Sequence, residues 1–228
     1  MKLFGLFIIG FLLGAGIAAA AVYYNPLTAV TAPALAGEDW LLYDSPVANN
    51  LVLAHDGNAR IRANPAGIPE LWESTLEGTV LLLVELRNAD GSLYGVGSRI
   101  SVLAENTDLL RRGVGLQSHW AVSAPGRGIF FVIQEENIWP VLKEVVLPAY
   151  YSESWRGSNR YTLTTGPLES GYGLLLGATG EFREQRGRAV ERYEIRRYSR
   201  AAGPVDMSAE LGIRLPRASD QRTAVQEP

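Results

Sequence analysis

Hydrophobic and polar positions follow three regimes along the chain. From Leu3 to Val22 the sequence is an uncharged run of Leu, Phe, Ile, Ala, Val and Gly. As a helix, a run of that length matches the roughly 30 Å hydrocarbon core of a bilayer. Lys2 marks a cytoplasmic end, and Tyr23 and Tyr24 stand where an interfacial aromatic belt would. Residues 1–24 are therefore expected to be a transmembrane anchor or, alternatively, a cleaved signal segment, for which Ala18 to Ala21 supply the small residues. The anchored reading makes the protein a single-pass membrane protein, with the bilayer as partner along Leu3 to Val22. Its domain would then face the periplasm from a bacterial inner membrane.

The second regime is the body of the chain. Residues 25–37 are rich in Pro, Ala and Thr and read as a linker, residues 38–200 as one folded domain, and residues 201–228 as a partly ordered tail. Gly78 to Asn88 (GTVLLLVELRN) and Ser92 to Ala104 read as a long hairpin about the turn sequence Asn88-Ala89-Asp90-Gly91. Leu116 to Ser123 and Gly128 to Glu135 form a second pair around Ala124-Pro125-Gly126-Arg127. Further strands are expected at Asn50 to His55, Arg160 to Thr165, Gly171 to Gly177 and Gly187 to Tyr198. The sum is an all-β domain of about eight antiparallel strands, a closed barrel or a sandwich. Glycines inside strand patterns, such as Gly95, Gly97 and Gly173, favour the barrel, where curvature demands them. Ile138 to Tyr151 is the exception. Pro140 and Pro148 frame about two helical turns, either a plug for one barrel end or an ordinary connection.

Composition narrows the chemistry. The 228 residues contain no cysteine and two histidines, so disulfides, thiolate catalysis and multi-histidine metal centres are excluded. A net charge of −3 gives no pull toward nucleic acid. No phosphate loop, dinucleotide fingerprint or hydrolase elbow occurs, and no metal or cofactor is expected. The seven arginines of Arg183 to Arg200 are interleaved by three glutamates and read as a solvated strand face.

Gly177 to Ala189 (GATGEFREQRGRA) resembles the signature G-G-T-G-x-F-x-x-A-x-G-x-A of dirigent proteins and, more loosely, of allene oxide cyclases. Gly177, Thr179, Gly180, Phe182, Gly187 and Ala189 match, whereas Ala178 and Gln185 depart from it. The resemblance implies a calycin-like, eight-stranded antiparallel barrel whose last two strands are joined by the motif. It also implies a homo-oligomer and an apolar lumen in which polar groups steer a ligand through ring closure or coupling. The motif itself holds no catalytic residue. Mechanically it is a tight turn: glycines at 177 and 180 permit positive φ, and Phe182 folds back over the barrel end.

Alternation within the strands supplies the site candidates. Ala189, Glu191, Tyr193 and Ile195 share the more apolar face of their strand and are expected to face inward. Glu85 shares a face with Leu81 and Leu83, although the opposite face is more apolar still. Glu85 and Glu191 are the candidate catalytic carboxylates, since a buried carboxylate titrates abnormally and needs a partner. Arg99 is a candidate partner for one of them and, with Tyr193 and His119, a candidate ligand contact. His119 alternates with Trp120 and could act as an acid or base near neutrality. His55 precedes Asp56-Gly57 and reads as a strand end. The expected function is binding of a small apolar or aromatic ligand and guidance of its cyclisation or coupling. The alternative is an interaction subunit of an envelope complex, with a filled barrel and a protein partner.

Overall fold

Residues 2–25, 39–44, 50–55, 68–76, 78–105, 107–109 and 113–215 are described by the computed structural model of the chain. Nearly all of the expected linker, Asp56-Gly57, and the end of the expected tail lie outside them. The strands in chain order are β1 (Asp39–Asp44), β2 (Leu51–His55), β3 (Glu70–Trp72), β4 (Val80–Arg87), β5 (Leu93–Leu103) and β6 (Gly115–Ala124). They continue with β7 (Gly128–Asn137), β8 (Ser154–Thr162), β9 (Thr164–Gly166), β10 (Gly173–Gly177), β11 (Arg186–Ser199) and β12 (Gly203–Arg214).

Eight of these strands close on themselves in the order β1, β12, β11, β10, β7, β6, β5, β4, and back to β1. Every contact around the ring is antiparallel, and the closing seam between β1 and β4 is the single pair Leu42 and Arg87. The parallel pair β2 and β3 extends outward from β4, β8 pairs with β11, and β9 pairs with β7. The expected eight-stranded antiparallel barrel is thus present.

Strand alternation decides what fills it. In β4, Leu82, Val84 and Leu86 are buried while Leu83, Glu85 and Arg87 face out. In β12, Met207, Ala209, Leu211 and Ile213 supply the inward set. Residues 203–214, expected to be tail, are therefore a full barrel strand. Their period-2 pattern is regular, but it lies among scattered charges between Pro204 and Pro216, which read as tail. β1 was likewise unforeseen, and it places Leu41 and Tyr43 inside.

The segment expected to be helical is a short α-helix α2 (Trp139–Val141), a π-helical stretch (Leu142–Val146) and α3 (Leu147–Ser152). Val145 is fully buried in the barrel core and Val141 lines the interior cavity. The helix therefore packs into the barrel instead of merely linking two strands.

The turn between β10 and β11 follows from two glycines. Gly180 has φ +61, and a Cβ there would lie 2.0 Å from the Arg127 carbonyl oxygen. Gly177 does not take positive φ; it is glycine because a Cβ would sit 1.6 Å from the carbonyl oxygen of Phe182. That close approach brings Phe182 into the core, edge-on to Phe130 with ring centroids 5.0 Å apart. Thr179 Oγ1 accepts the Ile129 N–H at 2.9 Å and ties the turn to β7. The motif joins β10 to β11, with β12 still to follow, so it does not connect the last two strands.

The N-terminal run is one helix, α1 (Lys2–Tyr23), with exposed apolar side chains from Phe7 onward. Among the described residues no helix is long and apolar enough to cross a membrane. This overturns the expected single-pass membrane protein with a periplasmic domain, and with it the bilayer as partner.

Gly177→Ala should lower unfolding free energy by about 2–4 kcal/mol in urea titrations, because the added methyl collides with backbone that cannot move away. Gly126→Ala, at a positive-φ turn with open space around it, should cost about 1 kcal/mol.

Candidate functional site

The barrel interior is apolar apart from one cluster of polar side chains. Alternation on β5 turns Arg99 and Ser101 inward, on β6 Ser118 and Trp120, on β7 Gln134 and Glu136, and on β11 Glu191 and Tyr193. β1 adds Tyr43 and β9 adds Thr164. Ser118, Gln134, Thr164 and Glu191 have no exposed surface at all.

Arg99 lies at the centre. Its Nη2 donates to Glu136 Oε2 and, at 3.1 Å, to Ser118 Oγ. Its Nη1 donates to the Tyr193 hydroxyl oxygen at 2.5 Å and lies 3.5 Å from Glu191 Oε1. Glu191 also accepts from the Tyr43 hydroxyl, from Gln134 Nε2 at 2.7 Å and from Trp120 Nε1 at 3.2 Å. Thr164 Oγ1 donates to Gln134 Oε1 at 2.8 Å, fixing which way the amide points. Among the described residues, the Nε–H of Arg99 is buried without a hydrogen-bond partner.

Two carboxylates share one guanidinium here, so the cluster has room for an extra proton. Burial raises the Glu136 pKa to about 7; Arg99 opposes the rise, and the nearby Glu191 carboxylate reinforces it. Burial, and then Glu191, push Tyr43 well above the ordinary phenol value. Burial also keeps Tyr193 protonated, its pKa raised despite Arg99. For Arg99, burial disfavours the charge, but the two carboxylates outweigh it and hold its pKa well above normal. At neutral pH the cluster thus holds a fixed cation, the anchored hydroxyls of Tyr43, Tyr193, Ser118 and Thr164, and a carboxyl group poised to exchange a proton.

A cavity of about 180 Å³ adjoins the cluster. Tyr43, Arg99, Ser101 and Tyr193 form its polar wall, while Leu82, Val141, Ile195 and Met207 contribute much of its apolar surface. The volume exceeds the roughly 150 Å³ of an apolar cavity that accepts benzene. It is smaller than the roughly 300–1,000 Å³ typical of drug-sized ligands. Glu136 and Glu191 do not line the cavity; they lie behind Arg99 and Tyr43.

Of the residues expected at the site, Glu191, Tyr193 and Arg99 come together. Glu85 does not: it faces out from β4, largely exposed, in an ion pair with Arg87 at 2.5 Å. Leu82, Val84 and Leu86 are the more apolar set, and they take the interior. His119 also faces out, because Trp120 fills the inward position beside it. Tyr43, Gln134 and Glu136 were missed. For Gln134 and Glu136 the signal was present, since they continue the inward parity of Phe130 and Val132. Among the described residues, no cluster of three or more acidic or histidine side chains is arranged to hold a metal.

No family model matches the chain, and no curated protein matches it. The resemblance of Gly177 to Ala189 to the dirigent signature thus extends to the barrel and no further. Among solved structures, the chain is similar to a nonspecific heme-binding cyclase of neoabyssomicin biosynthesis that catalyses a cycloaddition. Identity is 9%, TM-score 0.39, and the match covers 79% of this chain and 66% of that one. It is also similar to the Diels Alderase AbmU from Streptomyces koyangensis, at 10% identity and TM-score 0.33, covering 78% of this chain and 61% of that one. The chain thus spans about two thirds or less of the length of either. Overlap this loose carries no functional weight, and the barrel rests on its own strand pairing.

Glu136 has its pKa raised in the fold, so its protonated form is favoured there relative to the unfolded chain. Stability from this group is complete below the unfolded carboxyl value near 4.3 and is lost as pH rises through about 7. Unfolding free energy should fall over that window by about 1 kcal/mol per pH unit at its steepest. Glu136→Gln should flatten that slope in urea titrations run from pH 4.5 to 8.

Proposed function

We propose that the protein binds one small, mainly apolar or aromatic molecule inside its barrel and holds an oxygen atom of that molecule against the Arg99 cluster. The observation that carries this reading is the cluster's position: a buried, charged network forms one wall of an otherwise apolar cavity. A core built only for stability gains little from buried ions, since apolar side chains of similar volume are often as stabilising. A pocket with an apolar body and a few convergent polar groups is the usual form of a small-molecule site. The cavity also counts against the filled barrel of an interaction subunit. In such a site the barrel would align a reactive ligand for ring closure or coupling, with Arg99, Tyr43 and Tyr193 in contact with it. Glu191 and Glu136 would act through them, as positioning residues.

Toluene at saturation should raise the melting temperature of the protein by about 2–4 °C. Leu82→Trp, which fills the cavity, should abolish that rise while the variant still melts cooperatively. An unchanged wild-type melting temperature would count against a ligand-binding barrel.

A further inference from the structure

Arg99 has five N–H groups, and the structure accounts for four of them. The two on Nη1 face Tyr193 and Glu191, and the two on Nη2 face Ser118 and Glu136. The planar edge that grips a carboxylate with two parallel hydrogen bonds is therefore already occupied. What remains is Nε–H, one donor, buried and unpartnered on a residue that is 7% exposed and forms part of the cavity wall. A buried donor without an acceptor is costly to leave, by about 1–3 kcal/mol. Such orphans are uncommon in folded proteins and call for an explanation.

Charge points the same way. The Arg99 cation faces two carboxylates, so the wall offers no spare positive charge for an anionic ligand. A third carboxylate would enter an apolar cavity already beside Glu191 and Glu136, with no cation of its own. An ammonium group would meet Arg99 and the protonated hydroxyls of Tyr43 and Tyr193 before any carboxylate, because both glutamates lie behind the wall. A neutral ligand with one acceptor oxygen meets neither obstacle.

From the occupied fork, the single free donor and the lack of spare positive charge, we propose that the ligand's polar group is an uncharged carbonyl-type oxygen received by Arg99 Nε–H, and that carboxylates are excluded. The cavity volume restricts such a ligand to about one ring with its carbonyl substituent. This inference rests on the ligand-binding reading above and adds the chemical class to it.

The test uses three compounds of one ring and similar size, acetophenone, benzoate and benzylamine, with the full chain at pH 7. Binding is followed by methyl NMR of Leu82, Ile195 and Met207 and by the ¹⁵N–¹H signal of Arg99 Nε, assigned by its loss in Arg99→Lys. Acetophenone should shift the methyls and the Nε–H signal together, with a dissociation constant at least about tenfold below that of benzoate or benzylamine. Benzoate or benzylamine binding as tightly as acetophenone, or acetophenone moving the methyls without the Nε–H signal, would overturn the proposal while leaving a ligand-binding barrel intact. If none of the three shifts the methyls, the ligand-binding reading falls and this inference falls with it.

Discussion

Arg99 sits between two carboxylates in the middle of a barrel that is otherwise apolar, and the strands must hold it there. A guanidinium removed from water costs several kcal/mol unless its hydrogen bonds and its charge are both met. Meeting them requires Glu136 from β7 and Glu191 from β11. Glu191 in turn requires donors from β1, β6 and β7, supplied by Tyr43, Trp120 and Gln134. The network therefore spans the lumen and specifies which strands face one another. Deleting one member leaves the others charged or unpaired in a dry interior, a loss of about 3–5 kcal/mol for a buried ion pair. The same demand that costs stability when broken gives the barrel a single arrangement when intact.

Fold and chemistry are joined at that point. The barrel wall excludes water from the cluster, so its electrostatics are strong and the Glu136 carboxyl pKa rises. The cluster, for its part, leaves a patch of directed hydroxyl and N–H groups on the wall of an apolar chamber. Helix α2 and the π-helical stretch bring Val141 against the same chamber and Val145 into the core beneath. Phe182 is drawn into the core by the turn between β10 and β11, where it meets Phe130.

Much of this was legible from alternation alone. The hairpins of β4 with β5 and of β6 with β7 have turn residues and long apolar runs, and both appear where expected. Glu191 and Tyr193 were placed correctly because β11 has one plainly more apolar face. Glu85 was misjudged because both faces of β4 are apolar, and only the packed barrel decides between them. Arg99 could be named as a partner but not placed, since an inward arginine is recognisable only once its carboxylates are known. β1 escaped notice because a strand of six residues has little signal of its own, and β12 because scattered charges and flanking prolines hid its alternation; β1 pairs with β12, and β12 with β11. Glu136 escaped because, in the run Gln134-Glu135-Glu136, consecutive polar residues look like a strand end, yet the ladder with β6 continues through them.

The pairing of β1 with β12 also orders events in time. Asp39 to Asp44 aligns residue for residue with Ile213 to Ser208, so the domain's first strand has its main partner in the last. On a ribosome, β1 emerges long before β12 exists, and its contact with β4 is a single residue pair. Leu41 and Tyr43 must wait, Tyr43 for Glu191, which lies 148 positions later in the chain. Closure of the ring, and with it completion of the Arg99 cluster, therefore waits until β12 has been made. Contacts this distant in sequence make such folding slow and leave an open sheet edge in the interval. For this chain the nascent barrel is a half-open sheet whose charged centre stays wet until its final strand arrives.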